Sequence, residues 1–256
     1  MTDKMTNQNC AQEAGAEPLT LTPIACVHSP FAEKFAIPRQ PGLANAAKGE
    51  IIFEKGFDNP DMVRGLSQFS HLWLVFVFHG TQAQGWKPLI RPPRLGGNEK
   101  IGVLASRSTF RPNPIGMSVV KLEQVLPATK QTPLKLIVSG LDLLDQTPIL
   151  DIKPYVPYSD AIVDAKAGYA QTEPSRQKQV SFTEHALTQL GQYHKNHPEL
   201  KTLIEQVLCQ DPRPAYKQGK IDEKHYGMQL YQLNISWHMT GLEDILVTEI
   251  TPITNS

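Results

Sequence analysis

The chain has 256 residues, 40% apolar and 20% charged, with 25 Lys and Arg balanced by 25 Asp and Glu and a pI near 7.1. That length supports one large domain or two ordinary ones around a sizeable core, and the composition excludes wholesale disorder. A formal net charge of zero excludes global attraction to nucleic acid, so an anionic partner has to meet a local basic patch.

The cysteines, Cys10, Cys26 and Cys209, are odd in number and widely spaced. They fit neither a disulfide framework nor a zinc cluster, which makes a reducing cytoplasm the expected compartment. The N-terminus lacks a basic region followed by an apolar core, and Leu72 to Phe78, the longest apolar run, is only strand-sized. A membrane helix needs roughly 20 such residues, so none is expected.

In chain order, residues 1–18 are polar and aperiodic and read as a flexible tail. Leu21 to Val27 predicts a strand that ends at His28-Ser29-Pro30-Phe31. After the loop EKFAIPRQPGL, Glu50 to Glu54 predicts a short strand, Asp61 to Ser70 one helical turn, and His71 to His79 a strand buried on both faces. Ile101 to Ser106, Ile115 to Leu126, Leu134 to Val138 and Ile149 to Tyr155 complete a series of strands separated by Pro/Gly turns. No stretch from Leu19 to Tyr158 holds a 3.6-residue period, so residues 19–160 read as a closed or nearly closed β-barrel.

Residues 161–179 turn to Ala, Gln, Lys and Ser, a linker or long excursion. Ser181 and Glu184 form a capping-box pattern ahead of Ala186, Leu187, Leu190 and Tyr193. Pro198 sits as a first helical residue before the stripe Leu200, Leu203, Ile204, Val207 and Leu208. Tyr231 to Met239 alternates apolar with polar residues, and a turn at Gly241 leads to Ile245–Ile250 as a hairpin. The fold class is therefore α+β: a mainly antiparallel β-barrel N-terminal domain and a small α+β C-terminal domain over residues 180–256. There is no G-x-G-x-x-G between strand and helix, no Walker loop and no nucleophile elbow, so the barrel is a non-Rossmann one.

Positive charge gathers in Arg91–Leu122, which holds Arg91, Arg94, Lys100, Arg107, Arg111 and Lys121 against the single acid Glu99. Arg39, Arg94, Arg111 and Arg213 stand near prolines, and a guanidinium held rigidly suits bidentate recognition of carboxylate or phosphate. The alternative is a set of solvated surface charges. Asp142 and Asp145 in GLDLLDQTP lie where a carboxylate serves either as an acceptor for a ligand or as a cap for turn amides. His71 is either a site residue or a hydrogen-bonded strand end. His194 and His197 have ligand-like spacing but no third ligand, and compensation of a helix C-terminus explains them better.

Taken together, SPFAEKFAIPRQPGL, GLSQFSHLWLVFVFH, RPPRLGG, RSTFRPNPIGMSVVKL, GLDLLDQTPILDIKPYVPYSD and DPRPAY resemble the TrmO family, the TsaA-like β-barrel proteins, in motif and in order. The resemblance implies methylation by S-adenosylmethionine of N6 of the threonylcarbamoyladenosine beside the tRNA anticodon, without a metal. By matching motif it places the cofactor on Pro38, Arg39, Gln40, His71, Leu72, Arg94, Leu104, Asp142, Leu143, Leu144 and Asp145. Asp145, or else Asp142, is the expected proton acceptor. The anticodon loop of tRNA is expected to meet Lys100, Arg107, Arg111, Arg213 and Tyr216 through phosphates and stacking. A homodimer with cofactor near its interface is also implied. Gln146 stands where the family pattern has glycine, which leaves that turn open. A non-catalytic RNA-binding barrel, or a methyltransferase with another acceptor, remains the alternative.

Overall fold

The structure is a computed structural model that describes residues 19–173, 178–214, 217 and 219–253. Eight strands precede residue 160: β1 (Ala25–His28), β2 (Lys48–Phe53), β3 (His71–Val77), β4 (Leu89–Ile90), β5 (Ile101–Gly102), β6 (Ile115–Leu126), β7 (Lys135–Ser139) and β8 (Thr147–Pro154). β4 and β5 form a separate two-residue ribbon, and the other six close into a barrel in the order β1-β2-β7-β6-β3-β8. All its pairings are antiparallel. Closure leaves no barrel edge for another chain to pair with.

Side-chain alternation decides what fills the barrel. Leu72, Leu74 and Phe76 of β3 are buried, while Trp73, Val75 and Val77 between them are only half-buried. The strand thus has one core face, not the two that its continuous apolar run predicts. β6 keeps the same period, burying Gly116, Ser118, Val120 and Leu122. A Cβ on Gly116 would lie 2.4 Å from the Phe76 ring, so glycine here lets that ring close over the strand. The predicted helical turn between β2 and β3 is two 3-10 turns, Pro60–Val63 and Leu66–Gln68. Ile101 to Ser106 is a strand for two residues and then a 3-10 turn, Val103–Ala105.

After a short helix, α1 (Pro157–Asp160), the excursion folds back, and the Arg94 guanidinium donates to the Thr172 carbonyl. The second unit contains β9 (Gln179–Phe182), α2 (Glu184–Tyr193), α3 (Leu200–Leu208), β10 (Tyr226–Leu230), β11 (Leu233–Met239) and β12 (Asp244–Pro252). Its sheet runs β10-β11-β12-β9, with β9 parallel to β12. Ser181 lies inside β9, so Thr183 caps α2 instead, accepting the Ala186 N–H at 3.1 Å. Glu199, not Pro198, borders α3. The predicted stripe of α3 is buried throughout, each large side chain contributing about 1.5–3 kcal/mol.

The second unit rests on the loop between β1 and β2. Tyr231 N–H donates to the Pro30 carbonyl at 2.7 Å, Gln229 N–H to Glu33 at 2.9 Å, and Ala46 N–H to Gln206 at 2.9 Å. One continuous apolar cluster runs through both units. The loop carrying Pro38, Arg39 and Gln40 is thereby fixed at both ends. No helix among the described residues is long and apolar enough to cross a membrane.

Candidate active site at the barrel mouth

A cavity of about 620 Å³ opens where the ends of β3 and β6 meet three loops, residues 37–41, 106–111 and 142–144. Its floor is apolar, with Phe76 and Phe78 at 5.2 Å between centroids in an edge-to-face pair, and Met117 and Ile115 at the rim. Polar groups converge on it from the loops. Arg107 Nη1 donates to Gln40 Oε1 at 2.7 Å, tying two of the loops together. Arg111 Nη1 donates to the Ser106 carbonyl at 2.8 Å, which spends part of its guanidinium on its own loop. Burial lowers the pKa of Arg39 and the Arg94 charge lowers it further, while Asp211 opposes both.

Asp142 is the unusual group. Burial pushes its carboxyl up to about 6, against the opposing effects of the Ser118 hydroxyl, its own backbone N–H and the Arg107 charge. Its Oδ1 is buried and has no hydrogen-bond partner among the described residues. A buried carboxylate oxygen without a partner is costly, and such groups concentrate where a ligand completes them.

Pro38, Arg39, Gln40, Asp142, Leu143 and Leu144 line this cavity together with Arg107 and Arg111. Asp145 does not. Its Oδ1 accepts the Ser29 N–H at 2.9 Å and its Oδ2 the Gln146 amide at 3.3 Å, so it braces the turn behind the wall. Gln146 takes φ +62°, the left-handed conformation that a glycine would supply, so the turn survives the replacement.

His71 and Leu72 begin β3 and lie away from the mouth. Leu72 is wholly buried in the barrel, and His71 faces a separate cleft with Lys48, Lys121 and Glu199. His79 and Gly80, just beyond the other end of β3, stand in the cavity instead. Arg94 serves the Thr172 carbonyl, and neither it nor Leu104, 75% exposed, lines the cavity. Lys100 is exposed and free to meet solvent anions.

Arg213 is 0% exposed and grips Asp211 with two bonds of 2.7 and 2.8 Å, so in the described chain it holds its loop and presents nothing to RNA. Tyr216 lies outside the described residues. Sequence reasoning missed Trp73, Phe76, Phe78, His79 and Ser118 as cavity residues. The available signal was the polar break at His79-Gly80 that ends the apolar run. No group of three or more His, Cys, Asp or Glu among the described residues is placed to hold a metal.

Comparison with known proteins settles the family. Residues 26–161 match the family model described as the tRNA-methyltransferase O N-terminal domain, and residues 175–253 match the TrmO C-terminal domain. The chain belongs to the TrmO family. It is 50% identical over 217 residues, 85% of this chain and 92% of the other, to the tRNA (adenine(37)-N6)-methyltransferase of Escherichia coli strain K12. It is 44% identical over 232 residues to a Pseudomonas aeruginosa protein, RcsF, named as a candidate S-adenosylmethionine-dependent methyltransferase, covering 90% of this chain and 97% of that one. A crystal structure of TrmO from P. aeruginosa superposes with a TM-score of 0.77 at 39% identity, covering 93% of this chain and 99% of that chain.

The cavity's donor set fits S-adenosylmethionine. Guanidinium groups suit its methionine carboxylate, the unpartnered Asp142 carboxylate suits a donor, and the Phe76, Phe78 and Met117 side chains suit its apolar parts.

Proposed function

We infer that this chain transfers a methyl group from S-adenosylmethionine to N6 of the adenine at position 37 of tRNA, the activity its relatives are named for. The observation that carries the chemistry is Asp142, a carboxylate on the cavity wall with a pKa of about 6 and a buried oxygen that has no hydrogen-bond partner among the described residues. Arg39, Gln40, Leu143 and Leu144 are the residues we assign to the cofactor. When bound, that cofactor supplies an electrophilic methyl group and requires no metal.

We propose that the acceptor is threonylcarbamoyladenosine. A carbamoyl group withdraws electrons from N6, which weakens its nucleophilicity and acidifies its remaining hydrogen. A base titrating near 6 is ionised at neutral pH and can take the N6 proton as the arriving methyl places positive charge on that nitrogen and makes the proton acidic. Asp142 receives that proton on Oδ1, and the Arg107 charge and Ser118 hydroxyl hold its carboxylate anionic. Asp145 holds the turn in which Asp142 is presented.

The exposed Lys100 and Arg107 are our assignments for tRNA phosphates. Lys100→Ala should lower the salt slope of tRNA binding by about 0.7–1. Ile115 and Met117 at the cavity rim, 36% and 56% exposed, and Leu104, 75% exposed, are apolar side chains left in solvent, and we assign them to a second copy of the chain in a homodimer. We propose a cytoplasmic location, which is compatible with a tRNA substrate and a diffusible methyl donor.

The reading is tested by incubating the chain and S-adenosylmethionine with threonylcarbamoylated tRNA and, separately, with tRNA lacking the carbamoyl group. Transfer to the first alone supports it. Equal transfer to both overturns the acceptor, and binding without transfer to either overturns the enzyme in favour of an RNA-binding barrel.

A further inference from the structure

Of the three tryptophans, only Trp73 lines the cavity at the barrel mouth. Trp86 is 58% exposed on a loop, and Trp237 is buried in the second sheet. The Trp73 indole is held from outside the barrel. Its Nε1–H donates to Oδ2 of Asp160 at 3.0 Å, and the same oxygen accepts the Val156 N–H at 2.8 Å. Its ring leans on Tyr155, 5.9 Å between centroids at 45°. Asp160 ends α1, beyond the last barrel strand, and does not line the cavity itself. A charge-assisted bond at one end and aromatic packing along the ring fix a side chain that would otherwise turn freely at a half-buried strand position.

We propose that Trp73 is a stacking wall for an adenine ring and that Asp160 is the positioning residue that sets its plane. The aromatic groups of the floor, Phe76 and Phe78, are engaged edge-to-face with each other, whereas the indole, fixed by Asp160 and Tyr155, is the largest aromatic ring that lines the cavity. The proposal rests on the methyltransferase reading only for the source of the adenine, because both the methyl donor and the RNA acceptor carry one.

The test follows tryptophan emission of the full-length chain titrated with S-adenosylmethionine alone and with an anticodon stem-loop RNA alone, binding being measured independently by calorimetry. One ligand or both should quench the wild type, and the quench should vanish in Trp73→Phe. Quenching by the cofactor assigns the wall to the donor's adenine, and quenching by the RNA assigns it to the base. Asp160→Ala should weaken the quenching ligand about tenfold, the low end of what base stacking contributes. Asp160→Asn, whose amide oxygen still accepts both N–H groups, should restore binding to within about twofold.

Binding of either ligand without any Trp73-dependent quench overturns the stacking wall but leaves the methyltransferase reading intact. A chain that binds neither ligand overturns both. If Asp160→Ala lowers the melting temperature yet keeps affinity and quench, Asp160 is only a brace and the positioning role fails.

Discussion

Replacing Asp142 with Asn should make the protein more stable and cut its activity sharply. The carboxyl titrates at about 6 in the fold against an ordinary 3.8, because burial disfavours its charge. Below pH 3.8 it is protonated in both states and carries no penalty. Between 3.8 and about 6 the unfolded chain ionises while the folded one resists, so the wild type loses stability. Above about 6 the loss is complete and constant. At 1.36 kcal/mol per pH unit the ceiling is about 3 kcal/mol. The new amide N–H groups need partners in the same wall, which reduces the expected gain to about 1–2 kcal/mol at pH 8. Urea melts of wild type and Asp142→Asn at intervals from pH 4 to pH 8 check this. The difference should be near zero at the acid end, grow with pH and level off above about 6. A variant that is less stable at pH 8, or a difference that ignores pH, would refute the reasoning. Turnover should fall by about two to four orders of magnitude, the usual worth of a positioned base.

Gln146 holds φ +62° without being glycine, so Gln146→Gly should relieve strain of about 1–2 kcal/mol, less the extra freedom of an unfolded glycine. A rise in melting temperature of about 1–3 °C is expected, and a fall would show that the Gln146 contact with His28 at 3.2 Å matters more. Arg213→Ala removes two bonds to the buried Asp211, which keeps Lys178 at 4.0 Å, and should cost about 2–3 kcal/mol in a thermal melt. Unchanged stability together with a reduced salt slope of tRNA binding would return Arg213 to the RNA contacts. Leu104→Glu places charge on exposed apolar surface and should turn a dimer into a monomer by sedimentation while weakening cofactor binding. A monomeric wild type would remove the homodimer from the account.

The barrel was legible because its strands carry a two-residue period and its turns carry Pro and Gly. β6 runs Ile115–Leu126 as its alternation predicts. β9 escaped notice since QVSF is short and polar at every other position, and β12, its only sheet partner among the described residues, lies more than 60 residues away. β10 was hidden by Gly227 in mid-strand.

At the site, the motifs located the Pro38–Gln40 loop and the Asp142–Leu144 wall, since rigid loops with charged residues announce themselves in sequence. They put Asp145 ahead of Asp142 as proton acceptor, and the structure argues for the reverse order. That order depends on burial and on which oxygen the Ser29 amide occupies, and both are tertiary facts. Arg213 looked like a surface arginine between prolines. Only the fold shows that a partner two residues away, Asp211, takes its charge into the interior.

The central claim is that Asp142, at the mouth of the barrel, takes the proton from N6 as the methyl group arrives. The most direct measurement is a single-turnover reaction with threonylcarbamoylated tRNA and isotope-labelled S-adenosylmethionine, run from pH 5 to pH 8 and read by nucleoside mass analysis. The account predicts label on N6 of adenine 37, a rate that climbs with pH and levels off above about 6, and a rate lower by about two to four orders of magnitude with Asp142→Asn. A full rate from Asp142→Asn across that range would contradict it.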